Sequence, residues 1–264
     1  MFPKLFELGP ITLHTYGVLL VTAFMVSIAL TARLAEKDRI PRTYAWDLGF
    51  VVILSAIIGA KLLMVLSEIH VYLSDPSIFL TAGFWRAGGV FYGGLLGALL
   101  GSALYVRHKP GLSYWKLGDA TAPAIALGQS IGRLGCFAAG CDYGKPSGVP
   151  WAVTFTNSYA AERTGVPLGI PLHPAQLYEA GATFLIFLAL LALHRRRKFP
   201  GQVFAVYFLV YGVARFFLEF FRGDMDRGFV AGWLSTSQFI SLLIMPAALF
   251  LYWYLQSRPH GRTA

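Results

Sequence analysis

Along this chain the apolar positions come in long runs, and the charged positions fall in short clusters between them. Seven runs approach the roughly 20 residues that cross about 30 Å of hydrocarbon as a helix: Thr15–Leu34, Ala45–Leu66, Gly88–Val106, Leu117–Ala139, Gln176–Leu193, Val203–Phe221 and Phe239–Leu255. The pattern predicts an all-α integral membrane protein of about seven transmembrane helices, a single polytopic domain over residues 1–264. The fourth run is the odd one, because it contains Asp119, Pro123, Gln129 and Arg133. Polar, irregular membrane segments are tolerated where they line a protein cavity, so this run already hints at a site.

The basic clusters set the expected orientation. Arg33, Lys37, Arg39 and Arg42 follow the first run, Arg107, Lys109 and Lys116 the third, Arg195, Arg196, Arg197 and Lys198 the fifth, and Arg258 and Arg262 the seventh. These thirteen of the 22 basic residues fall on one side. Lys4, Arg86, Lys145, Arg163, Arg222 and Arg227 fall on the other, and Lys61, Arg133 and Arg215 lie in or at the ends of runs. Lysine and arginine concentrate in cytoplasmic loops, which puts the N-terminus outside and the C-terminus in the cytoplasm. The longest loop, about 140–175, then lies outside. Its turn residues around "WAVTF", a short strand candidate, predict a small ordered head on the outer face between spans four and five.

Composition agrees with this picture and narrows it. Of 264 residues, 56% are apolar and 13% charged, about half the charged share of a soluble domain. The net charge of +9 is distributed as an orientation signal, so no nucleic-acid partner is expected. The N-terminus, "MFPKLFELGPITLHTYG", lacks the basic start, apolar run and small-residue cleavage site of a removable signal peptide. Cys136 and Cys141 are the two cysteines. A structural zinc site needs four Cys or His ligands, and His14, His70, His108 and His173 do not complete one nearby, so no metal or other cofactor is expected.

Ionisable residues at membrane depth are costly and point to function. In "VYGVARFFLEFFRGD", Tyr211, Arg215, Glu219 and Arg222 are spaced by four, four and three, which sets them on one helical face. In the fourth run Arg133 lies between Gly132 and Gly135, where the backbone can pack closely. Arg215 and Glu219 can pair and simply join helices. One glutamate does not neutralise three guanidinium groups, however, and the count calls for an outside anion. In a bilayer that anion is a lipid phosphate, which suits arginine's planar fork. An arginine-lined cavity open to the outer leaflet is the expected site.

"GRLGCFAAGCDYG" resembles the signature of the prolipoprotein diacylglyceryl transferases. "HTYGVLL" in the first span, "HPAQLYE" entering the fifth and "YGVARFFLEFFR" in the sixth carry the same resemblance, which covers nearly the whole chain. It implies an enzyme of the bacterial inner membrane. The diacylglyceryl group of phosphatidylglycerol passes to the lipobox cysteine thiol of a prolipoprotein, a thioether forms, and glycerol phosphate leaves. By this resemblance Arg133 and Arg215 bind the lipid, Glu219 belongs to the catalytic centre, and Tyr16 and Tyr211 support it. Gly132 and Gly144 fall on signature positions, and Arg222 joins the phosphate-binding group. Membrane lipids and prolipoprotein signal peptides are the implied partners.

The chain departs from the family pattern at four places. Cys136 and Ala139 replace the signature asparagines, Cys141 replaces its glutamate, and Tyr92 in "FYGGLLG" stands where a histidine, the obvious base, is usual. A tyrosine, with a reference pKa of about 10, is mostly protonated at neutral pH. Either arginines lower its pKa, or the acceptor thiol loses its proton elsewhere and Tyr92 donates a hydrogen bond; the second is favoured, because arginines that help a phenolate help a thiolate directly. The cysteines can be packing residues, a disulfide or a catalytic thiol. His14 and His173 are expected as hydrogen-bonded boundary residues. Lys61 is expected to snorkel, to pair with a polar neighbour or to hold lipid phosphate, and Trp85 and Trp233 to form an interfacial belt. Two other functions fit the same features: a family variant with another acceptor, and a non-catalytic phospholipid transporter or scaffold.

Overall fold

The structure is a computed structural model that describes residues 2–8, 11–224, 228–230 and 232–258; Arg227 and Arg262, two members of the orientation pattern, lie outside them. In chain order the elements are β1 (Lys4–Leu8), β2 (Ile11–His14), α1 (Thr15–Glu36), α2 (Arg42–Ser67), α3 (Ile69–Ser74), α4 (Ala82–Arg86), α5 (Phe91–Arg107) and α6 (Tyr114–Ala139). They continue with β3 (Val153–Thr154), α7 (Ser158–Thr164), β4 (Pro171–Leu172), α8 (Ala175–Arg196), α9 (Gln202–Leu218), β5 (Phe229–Val230), β6 (Leu234–Ser235) and α10 (Thr236–Ser257). Helices form at every predicted run. Five of them, α1, α2, α8, α9 (with the turn that follows it) and α10, are long and apolar enough to cross a membrane. The helix at the third run, α5, has 17 residues, and α6 carries Asp119, Gln129 and Arg133.

The chain divides into two compact units, residues 35–117 and residues 1–34 with 118–264. In the first unit, α2 and α5 approach along a seam of small residues. A Cβ on Gly59 would lie 2.3 Å from the Gly93 carbonyl oxygen, and one on Gly97 2.2 Å from that of Ser55. Small residues four apart allow this approach, and in a bilayer close packing is a main source of helix association. Lys61 is used inside this unit. Its Nζ donates to the Ala87 carbonyl at 2.6 Å and to that of Phe84, and lies 4.7 Å from the Phe84 ring centre. It thereby satisfies carbonyls around the C-terminus of α4, which is the polar-neighbour reading.

In the second unit, Ala122 and Ala126 of α6, Ile186, Phe187 and Leu190 of α8, and Val203 and Tyr207 of α9 form the apolar core. Small residues again set the spacing, with Ser27 of α1 donating to the Ala124 carbonyl at 2.9 Å. Asp119, expected to line a cavity, has a structural use: its carboxylate accepts from Gly201 N at 2.8 Å and Phe204 N at 3.0 Å. These are N–H groups at the start of α9, which have no partner within the helix.

The segment 140–175 folds as an ordered head, though not as the sequence suggests. Only Val153 and Thr154 of "WAVTF" pair, with Leu172 and Pro171. Phe155 instead turns inward and, fully buried, makes a core with Ala160, Val166 and Leu172. That core needs α7, whose start is capped by the Asn157 side chain accepting from Ala160 N at 3.2 Å. Phe137 of α6 meets Phe155 edge-on, ring centres 6.0 Å apart, and ties the head to the helix that carries Arg133.

Candidate active site

The backbone after α6 assembles the site. Gly140 takes a positive φ of 87° while its N–H still donates to the Cys136 carbonyl at 2.8 Å. Asp142 follows with a φ of 55°, a left-handed conformation that aspartate adopts more readily than most residues. The chain then runs extended between two neighbours. Lys145 N donates to Phe221 O, Gly223 N to Tyr143 O and His173 N to Lys145 O, each at 2.9 Å. No side chain fits among these backbones: a Cβ on Gly144 would lie 2.1 Å from the His173 carbonyl oxygen, and one on Gly223 2.6 Å from that of Gly144. Gly144 therefore brings the approach to α8 and the exit from α9 to the end of α6.

Charged groups from α6, α8 and α9 meet there. Arg133 Nη1 is 2.8 Å from Asp142 Oδ2, and its Nε is 3.0 Å from Glu179 Oε1 on α8. Arg215 Nη1 is 2.7 Å from Glu219 Oε2 and 4.0 Å from Glu179 Oε2. Its Nη2 donates to Ser237 Oγ of α10 at 2.9 Å. Arg222 Nη2 reaches Asp142 Oδ1 at 2.5 Å and Asp224 Oδ2 at 2.6 Å. The Tyr211 hydroxyl donates to Glu179 Oε1 at 3.5 Å and its ring stacks on Tyr207, whose hydroxyl donates to Gln129 at 2.9 Å. Burial pushes the Asp142 carboxyl up, but Arg133 and then Arg222 outweigh burial and hold it below its ordinary value.

Arg133, Arg215, Glu219, Tyr211 and Arg222 are thus linked within one unit. Tyr16 borders them, since a Cβ on Gly135 would lie 3.2 Å from its ring. Tyr92 belongs to the other unit, 43% exposed in the first turn of α5 with Phe91 edge-on against it. Three expectations need correction. Arg222 is not on the helical face of Arg215, because α9 ends at Leu218 and Arg222 leaves in extended backbone paired with Gly144. Gly132 does not serve close packing, since a Cβ there would meet nothing within 4 Å. The charge count also changes: among the described residues Asp142, Glu179 and Asp224 join Glu219, so four carboxylates face the three guanidinium groups and the count by itself no longer calls for an outside anion.

Glu179 is the residue the sequence pattern did not reveal. It sits inside "HPAQLYE", but as a lone carboxylate one turn into a helix it has no periodic partner to mark it. The cysteines are both free. Arg133 Nη1 donates to Cys136 Sγ at 3.9 Å, and Cys141 Sγ to the Cys136 carbonyl at 3.8 Å. His14 and His173 are hydrogen-bonded as expected, to the Tyr159 hydroxyl at 2.8 Å and the Tyr178 hydroxyl at 3.1 Å.

The model of the prolipoprotein diacylglyceryl transferase family matches residues 3–254 of this chain. The chain belongs to that family. A relative from Clostridium tetani named phosphatidylglycerol--prolipoprotein diacylglyceryl transferase is 36% identical over 252 residues, covering 96% of this chain and 97% of its own. Relatives of the same name from Bordetella avium and Geobacter sulfurreducens are 36% and 34% identical, covering 95% and 90% of this chain and 93% and 89% of theirs. In this chain Arg133 of α6 and Arg215 of α9 both approach the Glu179 carboxylate of α8, at 3.0 and 4.0 Å.

Proposed function

We propose that this enzyme transfers the diacylglyceryl group of phosphatidylglycerol to the lipobox cysteine thiol of prolipoproteins, releasing glycerol 1-phosphate in the first step of bacterial lipoprotein maturation. The observation that carries this reading, beside family membership, is the meeting of Arg133 and Arg215 at Glu179, 3.0 and 4.0 Å from its two oxygens. The acceptor thiolate attacks the glycerol carbon bonded to phosphate. A C–S bond forms, the C–O bond breaks, and its electron pair leaves on the phosphate oxygen. Arg133 and Arg215 hold that phosphate and stabilise the charge it gains, a contribution of several kcal/mol where donors are preorganised. Arg222 and Tyr211 orient the two arginines through Asp142 and Glu179, Glu219 fixes Arg215, and Gly132 leaves space beside Arg133. Tyr16, beside Gly135, supports that centre from α1.

The same reading places the protein in the bacterial inner membrane as one polytopic domain with seven spans, the N-terminus outside and the head periplasmic. Sharing one membrane surface, lipid and peptide meet in an aligned site, which converts a bimolecular encounter into a nearly unimolecular step. Reconstitution with phosphatidylglycerol and a lipobox peptide, followed by mass analysis, tests the proposal. The expected product carries one diacylglyceryl group on the cysteine sulfur. An unmodified peptide from well-folded protein would overturn the assignment in favour of another acceptor or of lipid transport.

A further inference from the structure

We propose that Cys136 and Cys141 are a modification site, a redox pair that closes into an intrachain disulfide and pins the turn carrying Asp142. The inference stands without the transferase reading. Both thiols are free, their Sγ atoms lie within 4.8 Å of each other, and Cys141 Sγ donates to the Cys136 carbonyl at 3.8 Å. Their nearness is a product of the helix end. The Gly140 N–H donates to the Cys136 carbonyl at 2.8 Å, and Gly140 takes a φ of 87°; such left-handed caps commonly bring the residue after the glycine against the last helical turn. Two of the places where the chain departs from the resembled signature, Cys136 and Cys141, are therefore the two ends of one contact.

Closure asks little of the backbone. Thr164 Oγ1 of the head donates to the Gly140 carbonyl at 3.2 Å, and Gln176 Nε2 of α8 to the Cys141 carbonyl at 2.8 Å, so the turn is held from both sides before a bond forms. A disulfide sets its sulfurs about 2.05 Å apart, and turning one cysteine between staggered χ1 wells moves its sulfur by about 3 Å. Side-chain rotation thus covers the remaining separation. Cys136 is buried in the last turn of α6 and Cys141 is the more open of the two, so an oxidant meets the pair at Cys141. Arg133 loses little on closure: its contact with Cys136 Sγ is 3.9 Å, while Asp142 and Glu179 hold it at 2.8 and 3.0 Å.

The oxidant is a disulfide, of low molecular weight or carried by a protein. In two exchange steps each cysteine gives up a hydrogen, the S–S bond between Cys136 and Cys141 forms, and the S–S bond of the oxidant breaks to two thiols. Electrons and protons balance with no further reactant. The new bond ties Cys141, and with it the adjoining Asp142 at its φ of 55°, to the last turn of α6. Asp142 is the carboxylate shared by Arg133 and Arg222, at 2.8 and 2.5 Å. The oxidised form fixes that junction covalently, whereas the reduced form relies on hydrogen bonds. Closing a short loop also removes freedom from the unfolded chain.

Thiol accounting on the full-length protein in detergent tests the site. The chain has two cysteines, so every thiol lost belongs to the pair. Wild type equilibrated with excess oxidised glutathione should lose the mass of two hydrogens, lose together both thiols that alkylate after denaturation, and regain them in dithiothreitol. The closed form should melt about 5 °C above the reduced form. In C141S the same oxidant should leave Cys136 free or glutathionylated and produce no such rise. Two thiols that still alkylate in oxidised wild type overturn the pair, as does a stable glutathione adduct on one of them or a disulfide-linked dimer, and none of these readouts needs a variant to fold. A bond that forms without raising the midpoint, or a rise of equal size in C141S, overturns the pinning of the turn.

Discussion

Replacing Glu179 by glutamine removes one charge from the centre of the cluster and keeps its volume and a carbonyl acceptor for Arg133. The side chain is 5% exposed and lies 3.0 Å from Arg133 Nε and 4.0 Å from Arg215 Nη1. With an effective dielectric constant of about 20, Coulomb's law gives roughly 5 kcal/mol for each contact. Returning the carboxylate's desolvation penalty offsets several kcal/mol of that, and breaking a buried pair from one side costs about 3–5 kcal/mol net. Because glutamine still accepts a hydrogen bond, the lower end applies, about 3 kcal/mol. For a chain of this length that corresponds to about 10 °C in thermal midpoint. The assay is thermal unfolding in detergent, paired with kcat/KM for phosphatidylglycerol well below the midpoint, where an approximately 100-fold loss is expected from misdirected arginines. Glu162→Gln on the exposed surface of the head is the control and should lie within about 0.5 kcal/mol of wild type. If Glu179→Gln melts and turns over like that control, the carboxylate does not hold the arginines and there is no preorganised cradle.

Other substitutions probe the same geometry. Arg133→Lys keeps the charge but loses the fork that serves Asp142 and Glu179 together, so kcat/KM should fall by about 10² or more; near wild-type turnover in the lipid-to-peptide assay would refute a bidentate role. Gly144→Ala forces a Cβ to 2.1 Å from a backbone oxygen and should cost several kcal/mol by thermal melting, whereas Gly148→Ala, with nothing within 4 Å, should melt like wild type. Gly97→Ala meets the Ser55 carbonyl at 2.2 Å and should loosen α2 from α5, read as protease sensitivity of the 35–117 unit. Tyr92→Phe should retain measurable transferase activity; complete loss with lipid binding intact makes Tyr92 the base.

Much of this protein is legible in one dimension because the bilayer imposes a one-dimensional rule. A run that crosses hydrocarbon must satisfy its own backbone, so length and apolarity alone announce a helix. Cost also marks the charges within or beside such runs, which is why Arg133, Arg215, Glu219 and Arg222 stand out along the chain. Helix period cannot follow Arg222, however, since period has meaning only while the helix lasts. The helix stops at Leu218, and the backbone of Gly144 then captures the exit strand at Arg222.

Residue order alone was enough to place the long helices and, through its motifs, the family. Folding in three dimensions settled which charges meet. Glu179, Asp142 and Asp224 are ordinary carboxylates along the chain, with nothing in their spacing to pair Glu179 with Arg133 or Asp142 with Arg222. Their partnership follows from three backbones packed where only glycine fits, a long-range contact that local pattern does not encode. The same turn brings the side chains of Cys136, Cys141 and Asp142 within 4.8 Å of one another, a grouping that exists only after α6 has ended.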